Sequence, residues 1–266
     1  MAVIFKFLEE EKSYPQSLSD ITFQQFIDYL EKILPRKPVV LQNLEQAFVD
    51  ENILKDELIK VQASREKGKA KRLEELNEEI KAASENRVKS LAEMSNLVFA
   101  RDVLPYMAEV VSFFCQIPYD MIMGISHPEG KGMDPTNLES LYWLICSAME
   151  IRAEDYKYQK EYEFNDRLYL LPDRYMEKST VIEFMESAQL QAAMEKVQNG
   201  YFHSMLDVCS VLLKRKKERY SDAVYERNKK EFRVLPMSVV VQVAFFLLKR
   251  NEPSKRSSKT SMTRQV

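Results

Sequence analysis

The stretch Asn43–Asn96 contains no proline and a single glycine, Gly68. Acidic and basic residues are interleaved throughout it, as in "KGKAKRLEELNEEIKAASENRVKSLAEM". Sparse apolar residues (Leu54, Leu58, Val61, then Leu73, Leu76 and Ile80) recur at helical spacing. The stretch is therefore either one long exposed helix or two antiparallel helices that break near Ser64–Lys69. Charge pairs one turn apart support such helices without a partner, so the plain reading is a solvated helical hairpin. The functional alternative is an arm lying along a partner subunit. Strict a/d heptads are not sustained in the sequence, so a long two-stranded coiled coil is not expected.

The remainder of the chain is also helical in character. Of 266 residues 45% are hydrophobic, enough for a sizeable core, and only 5 are glycine. A dinucleotide fold or a β-sandwich would normally use more glycine in its turns. The formal net charge of −2 leaves no basic excess to hold nucleic acid or an anionic membrane. The three cysteines, Cys115, Cys146 and Cys209, all sit in apolar helical contexts and read as buried free thiols of a reducing compartment. The N-terminal "MAVIFKFLEEEK" turns acidic too soon for a signal peptide. Its apolar runs fall well short of the roughly 20 residues of a membrane span, and so do all others, the longest candidate being Val239–Leu248.

Taken in order, Met1–Glu10 alternates apolar residues loosely (Val3, Phe5, Phe7) and reads as a short strand or a docking tail, and Ser13–Asp20 as a loop. Thr22–Leu34 is a helix that opens with a capping box, Thr22 and Gln25, and is stopped by Pro35. Leu97–Ile125 reads as helices interrupted at Pro105 and Pro118, with Pro118 at a first helical position. His127 lies in the loop "SHPEGKGMDP" without a companion ligand and reads as an ordinary loop histidine. Asn137–Arg152 is a buried helix in which Tyr142 and Trp143 serve core packing rather than interface anchoring.

The clearest strand signal is "YQKEYEFNDRLYLLPDRY". Its runs Lys160–Phe164 and Arg167–Leu171 flank Asn165-Asp166, two residues that tolerate the positive φ of a tight hairpin turn. A capped helix follows at Ser179–Gln198, where "TVIEFME" echoes the earlier "TFQQFID" and Thr180 with Glu183 repeats the capping box. Tyr201–Arg215 is amphipathic, with His203 beside its apolar face. The basic opening of "KRKKERYSDAVYERNKKEF" is diluted by acids. "VLPMSVVVQVAFFLLKR" is a closing buried helix, and Asn251–Val266 is a basic Ser/Thr-rich tail of disordered composition. The expected organisation is an N-terminal capped helix and loops (1–42), the charged arm (43–96), a helical core with its hairpin at 160–171 (97–250), and the tail (251–266). The fold class is mainly α: a multi-helix bundle with a long charged helical arm and one small β-hairpin.

Chemistry-bearing motifs are absent from the sequence. There is no Gly-rich phosphate loop, no His-Glu helix motif and no CxxC, and the two histidines are far apart. No catalytic, cofactor-binding or metal-ligating residue can be named, no cofactor is implied, and an enzyme is not expected.

The hairpin ending in proline ("YEFNDRLYLLPD"), the capped helix "STVIEFMES" and the "FRVLP" turn leading into the last helix form a recognisable pattern with "SLSDITFQQFIDYLE" and "IPYDMI". Together they resemble small helical proteins from the structural-gene regions of tailed bacteriophages, including the crAss-like phages of gut Bacteroidetes. The resemblance covers most of the chain outside Asn43–Asn96 and the tail. It implies a virion protein made in the host cytoplasm, structural or packaged as cargo. Its partners would be other phage structural proteins and many copies of itself, without nucleic acid and without a membrane-spanning segment. The alternative it implies is a tail or capsid assembly chaperone or adaptor absent from the mature particle.

Overall fold

The computed structural model describes residues 3–8, 10–64, 68–126, 130–150, 159–171, 201–216 and 218–251. The fold is mainly α. In chain order, β1 (Val3–Phe7) and β2 (Glu10–Tyr14) precede α1 (Phe23–Asp28), which runs on as a π-helical turn over Tyr29–Ile33. Then come α2 (Val39–Ala63), α3 (Lys69–Glu93), α4 (Leu104–Cys115) and α5 (Pro135–Met149). The strands β3 (Glu161–Phe164) and β4 (Arg167–Leu170) follow, then α6 (Tyr201–Leu212), β5 (Lys214–Arg215), α7 (Asp222–Glu231) and α8 (Met237–Asn251). His127, the 179–198 helix with Thr180 and Glu183, and the tail beyond Asn251 lie outside the described residues, as does the side chain of His203.

The chain divides into two compact units, one made of Met1, Gln16–Ile27 and Ala148–Val266, the other of Ala2–Pro15 and Asp28–Ser147. In the first, the hairpin forms as its turn residues require. Asn165 and Asp166 adopt φ of 50° and 56°, the left-handed pair of a two-residue turn, and Glu161–Phe164 pairs antiparallel with Arg167–Leu170. The sheet gains a third strand, because Tyr169 and Leu170 also pair with Arg215 and Lys214. The amphipathic pattern over Tyr201–Arg215 therefore overruns the helix, which stops at Leu212. The physical reason is tertiary. The buried Asn228 amide donates to the carbonyls of Ser210 and Leu213, at 3.2 and 3.0 Å, and so satisfies helix-end acceptors that a further turn would have used.

The capping box at Thr22 is present. The Gln25 amide nitrogen donates to Thr22 Oγ1 at 3.2 Å and the Thr22 amide to Gln25 Oε1 at 3.0 Å. This helix start docks on the last helix start. The Phe23 amide donates to the Leu235 carbonyl and the Met237 amide to the Ile21 carbonyl, both at 2.8 Å. Thr22 and Pro236 also form an isolated antiparallel β-bridge, while "TVIEFME", the segment that echoes "TFQQFID", lies outside the described residues.

In the second unit, Val3–Phe7 is a strand, paired with Glu10–Tyr14, so the expected loop over Ser13–Asp20 begins two residues late and the fold holds a second hairpin. Pro35 does not end its helix abruptly: a 3-10 turn carries the chain through Leu34–Arg36. Pro105 sits in the first turn of α4, where a π-helical stretch (Phe99–Val103) gives way to α-helix and a missing amide costs little. Pro118 caps a single helical turn, Tyr119–Ile122. α5 starts two residues earlier than its apolar pattern, because Asp134 accepts from the amides of Thr136 and Asn137. Tyr142 is fully buried, as core packing requires. Cys115 and Cys209 are buried and Cys146 half-buried, all free thiols.

Candidate functional site

The Asn43–Asn96 stretch is two helices, not one. α2 ends at Ala63 with Ser64 as its extended C-cap, and Gly68, with φ of +90°, opens α3 from the left-handed region. The two pack against one another in antiparallel fashion. Their inward positions step by three and four residues: Leu44, Ala47, Glu51, Leu54, Leu58 and Val61 on α2, and Leu73, Leu76, Ile80, Ala83, Arg87 and Ser90 on α3. That is a heptad seam within one chain. Sequence reasoning missed it because Glu51, Arg87 and Ser90 are polar residues at seam positions.

Glu51 is 5% exposed, yet charged partners surround it. Lys55 Nζ and Arg87 Nε each lie 2.6 Å from its carboxylate. The Lys55 and Arg87 contacts together hold its pKa below the usual glutamate value. The Arg87 guanidinium also lies over the Phe48 ring, 5.2 Å from its centre.

The two flanks of this hairpin differ. On one, Arg72 gathers Glu57 at 2.7 Å, Glu79 at 3.1 Å and Glu75 at 3.5 Å, three carboxylates about one guanidinium. The other flank exposes apolar side chains: Phe48, Ile59, Val88 and Leu91 are 38%, 62%, 57% and 42% accessible. Helical spacing places Phe48 and Ile59 of α2 on the same side as Asn77, Lys81, Ser84, Val88 and Leu91 of α3. Between the helices there runs a groove of about 480 Å³, lined by Glu51, Asn77, Ile80, Lys81, Ser84, Glu85 and Val88.

The base of the arm is held by buried tyrosines. The Tyr142 hydroxyl donates to Glu45 Oε1 at 2.7 Å, and Glu45 is ion-paired with Lys37. Tyr106 meets Tyr142 edge-on, ring centres 6.2 Å apart. Burial, with Cys146 and Glu45 adding to it, pushes the Tyr142 hydroxyl far up, and burial raises Tyr29 to about 12. Both hydroxyls stay protonated, and that of Tyr142 serves as a structural donor to Glu45.

In the other unit Arg215, within the basic run, is paired inside the chain. Arg215 grips both oxygens of Glu231 at 3.0 and 2.9 Å, Arg167 reaches the same carboxylate at 3.1 Å, and the Tyr169 hydroxyl donates to it at 2.8 Å. Burial raises the Glu231 pKa, but the hydrogen bonds from Tyr169 and Arg215 outweigh it and the net shift is downward. Arg227 holds Glu218 through two bonds at 2.6 and 2.9 Å. Arg215, Arg167 and Arg227 are thereby each held by a carboxylate of the same unit.

Among the described residues no group of three or more His, Cys, Asp or Glu side chains is placed to hold a metal ion, and no helix is long and apolar enough to cross a membrane. No protein-family model, curated protein or solved structure matches the chain.

Proposed function

We propose that this chain is a bacteriophage virion protein, structural or packaged as cargo, that works through protein–protein contacts. The observation that carries the contact reading is the apolar flank of the α2–α3 hairpin, where Phe48, Ile59, Val88 and Leu91 face solvent; Val49 and Ile53 of α2 are exposed as well, outside that flank. Single exposed apolar residues are ordinary, but several on one side of one element mark a surface that meets a partner. The phage setting rests on the sequence resemblance, carried by the hairpin "YEFNDRLYLLPD", the capped helix "STVIEFMES", the "FRVLP" turn, "SLSDITFQQFIDYLE" and "IPYDMI". Elsewhere Arg215–Glu231, Arg227–Glu218 and Tyr142–Glu45 are bonded within the chain. The test is quantitative mass spectrometry of gradient-purified virions against infected-cell lysate. Co-purification at many copies per particle is the expected result. Abundance in the lysate with absence from particles refutes it and assigns the chain to assembly, as a chaperone or adaptor.

A further inference from the structure

We infer that the apolar flank of the α2–α3 hairpin binds the same flank of a second copy, α3 against α3, antiparallel about a two-fold axis at Ser84. The inference deepens the protein-contact reading above and rests on it. The stripe Asn77, Lys81, Ser84, Val88 and Leu91 repeats at steps of four and three, the spacing by which a helix presents a straight seam to an antiparallel neighbour. Its middle residue is small, so two backbones can approach closely where they cross. Around that centre the stripe is self-complementary in shape. Val88 of each copy falls over the other's Ile80 and the aliphatic stem of its Lys81, and Leu91 falls against Asn77, with Phe48 widening the apolar edge.

The stripe is self-complementary in charge as well. Lys81 and Glu85 both line the groove, one turn apart, on either side of its centre. Antiparallel pairing brings each Lys81 ammonium to the other copy's Glu85, and the two-fold axis makes that pair twice. Parallel pairing would set Lys81 against Lys81 and Glu85 against Glu85. The opposite flank sets three carboxylates about Arg72, and an acidic excess of that kind offers no such match to its own copy.

Sedimentation of the full chain over a concentration series tests this, with circular dichroism confirming that each variant keeps its helices. The wild type dimerises reversibly. Val88→Glu raises the dimer dissociation constant by more than about tenfold, since the substitution enters the contact twice. Lys81→Glu and Glu85→Lys each weaken the dimer, and the double variant restores it. On mild oxidation Ser84→Cys gives an intermolecular disulfide, whereas Asp56→Cys on the back of α2 does not. A wild type that stays monomeric throughout, or a double charge swap no better than its single parents, overturns the inference. A monomer found in purified virions would sink this dimer while leaving the virion reading intact. A dimer missing from virions would do the reverse.

Discussion

Replacing Asn228 by alanine isolates one tertiary decision in the fold. The side chain is fully buried, and its amide serves two carbonyls at the end of α6, Ser210 at 3.2 Å and Leu213 at 3.0 Å, while its oxygen accepts from Arg227 at 2.7 Å. Each lost hydrogen bond removes about 1 kcal/mol net, and a buried carbonyl left without a donor costs about 1–3 kcal/mol more. Some relaxation at the helix end will recover part of that, so the expected loss is about 3 kcal/mol. At a urea slope of about 2 kcal/mol/M the midpoint falls by about 1.5 M with little change in slope. Hydrogen exchange should localise the loss to amides around Leu212–Arg215, where α6 hands over to β5. Asn228→Asp is the control: it keeps the volume and the acceptor but has no donor, and should lose at least as much. A loss under about 1 kcal/mol for the alanine variant, with exchange at 212–215 unchanged, would refute the argument that Asn228 ends the helix.

Two further substitutions separate steric from conformational demands on glycine. A Cβ on Gly132 would stand 2.6 Å from the Ile122 carbonyl oxygen and 2.8 Å from the Gly124 amide nitrogen, whereas one on Gly68 would meet nothing. Gly132→Ala should therefore cost several times the roughly 1 kcal/mol expected for Gly68→Ala from its positive φ alone, and equal costs in urea unfolding would disprove the backbone clash. Glu51 supplies a pH test. Its folded pKa lies below the ordinary value of 4.5, held there by Lys55 and then Arg87. Its contribution is thus complete above the unfolded value and disappears as pH falls through the folded one. The drop in urea midpoint between neutral and acid pH should shrink in Glu51→Gln, and an undiminished drop would show that Glu51 does not carry it.

Much of this architecture was written in local sequence. The capping box at Thr22 and Gln25 needs only residues three apart, and it forms. The Asn165-Asp166 turn needs only two residues that tolerate positive φ, and both adopt it. The absence of proline between Asn43 and Asn96 leaves helices as the regular outcome there, with the break at the single glycine. Nothing local, however, distinguishes one long helix from two, because charge interleaving stabilises either. The antiparallel hairpin follows from burying Leu44, Leu54, Leu58, Leu73, Leu76 and Ile80 against each other.

The candidate surface was less legible. A seam that contains Glu51, Arg87 and Ser90 does not look like a heptad until the ion pairs that satisfy those residues are seen, and without the seam the exposed side cannot be told from the buried one. The same limit applies in the other unit, where the apolar stripe of α6 continues past its true end. Sequence by itself determined the helical class, the caps, the hairpin turn and the amphipathic faces, since each depends on backbone preference and spacing within a few residues. Tertiary structure alone decided that Lys214–Arg215 join a sheet, that Ile21–Phe23 docks on Leu235–Met237, and which flank of the hairpin faces outward. Those outcomes depend on hydrogen-bond donors and apolar partners supplied from distant parts of the chain, and their energies exist only once both sides are in place.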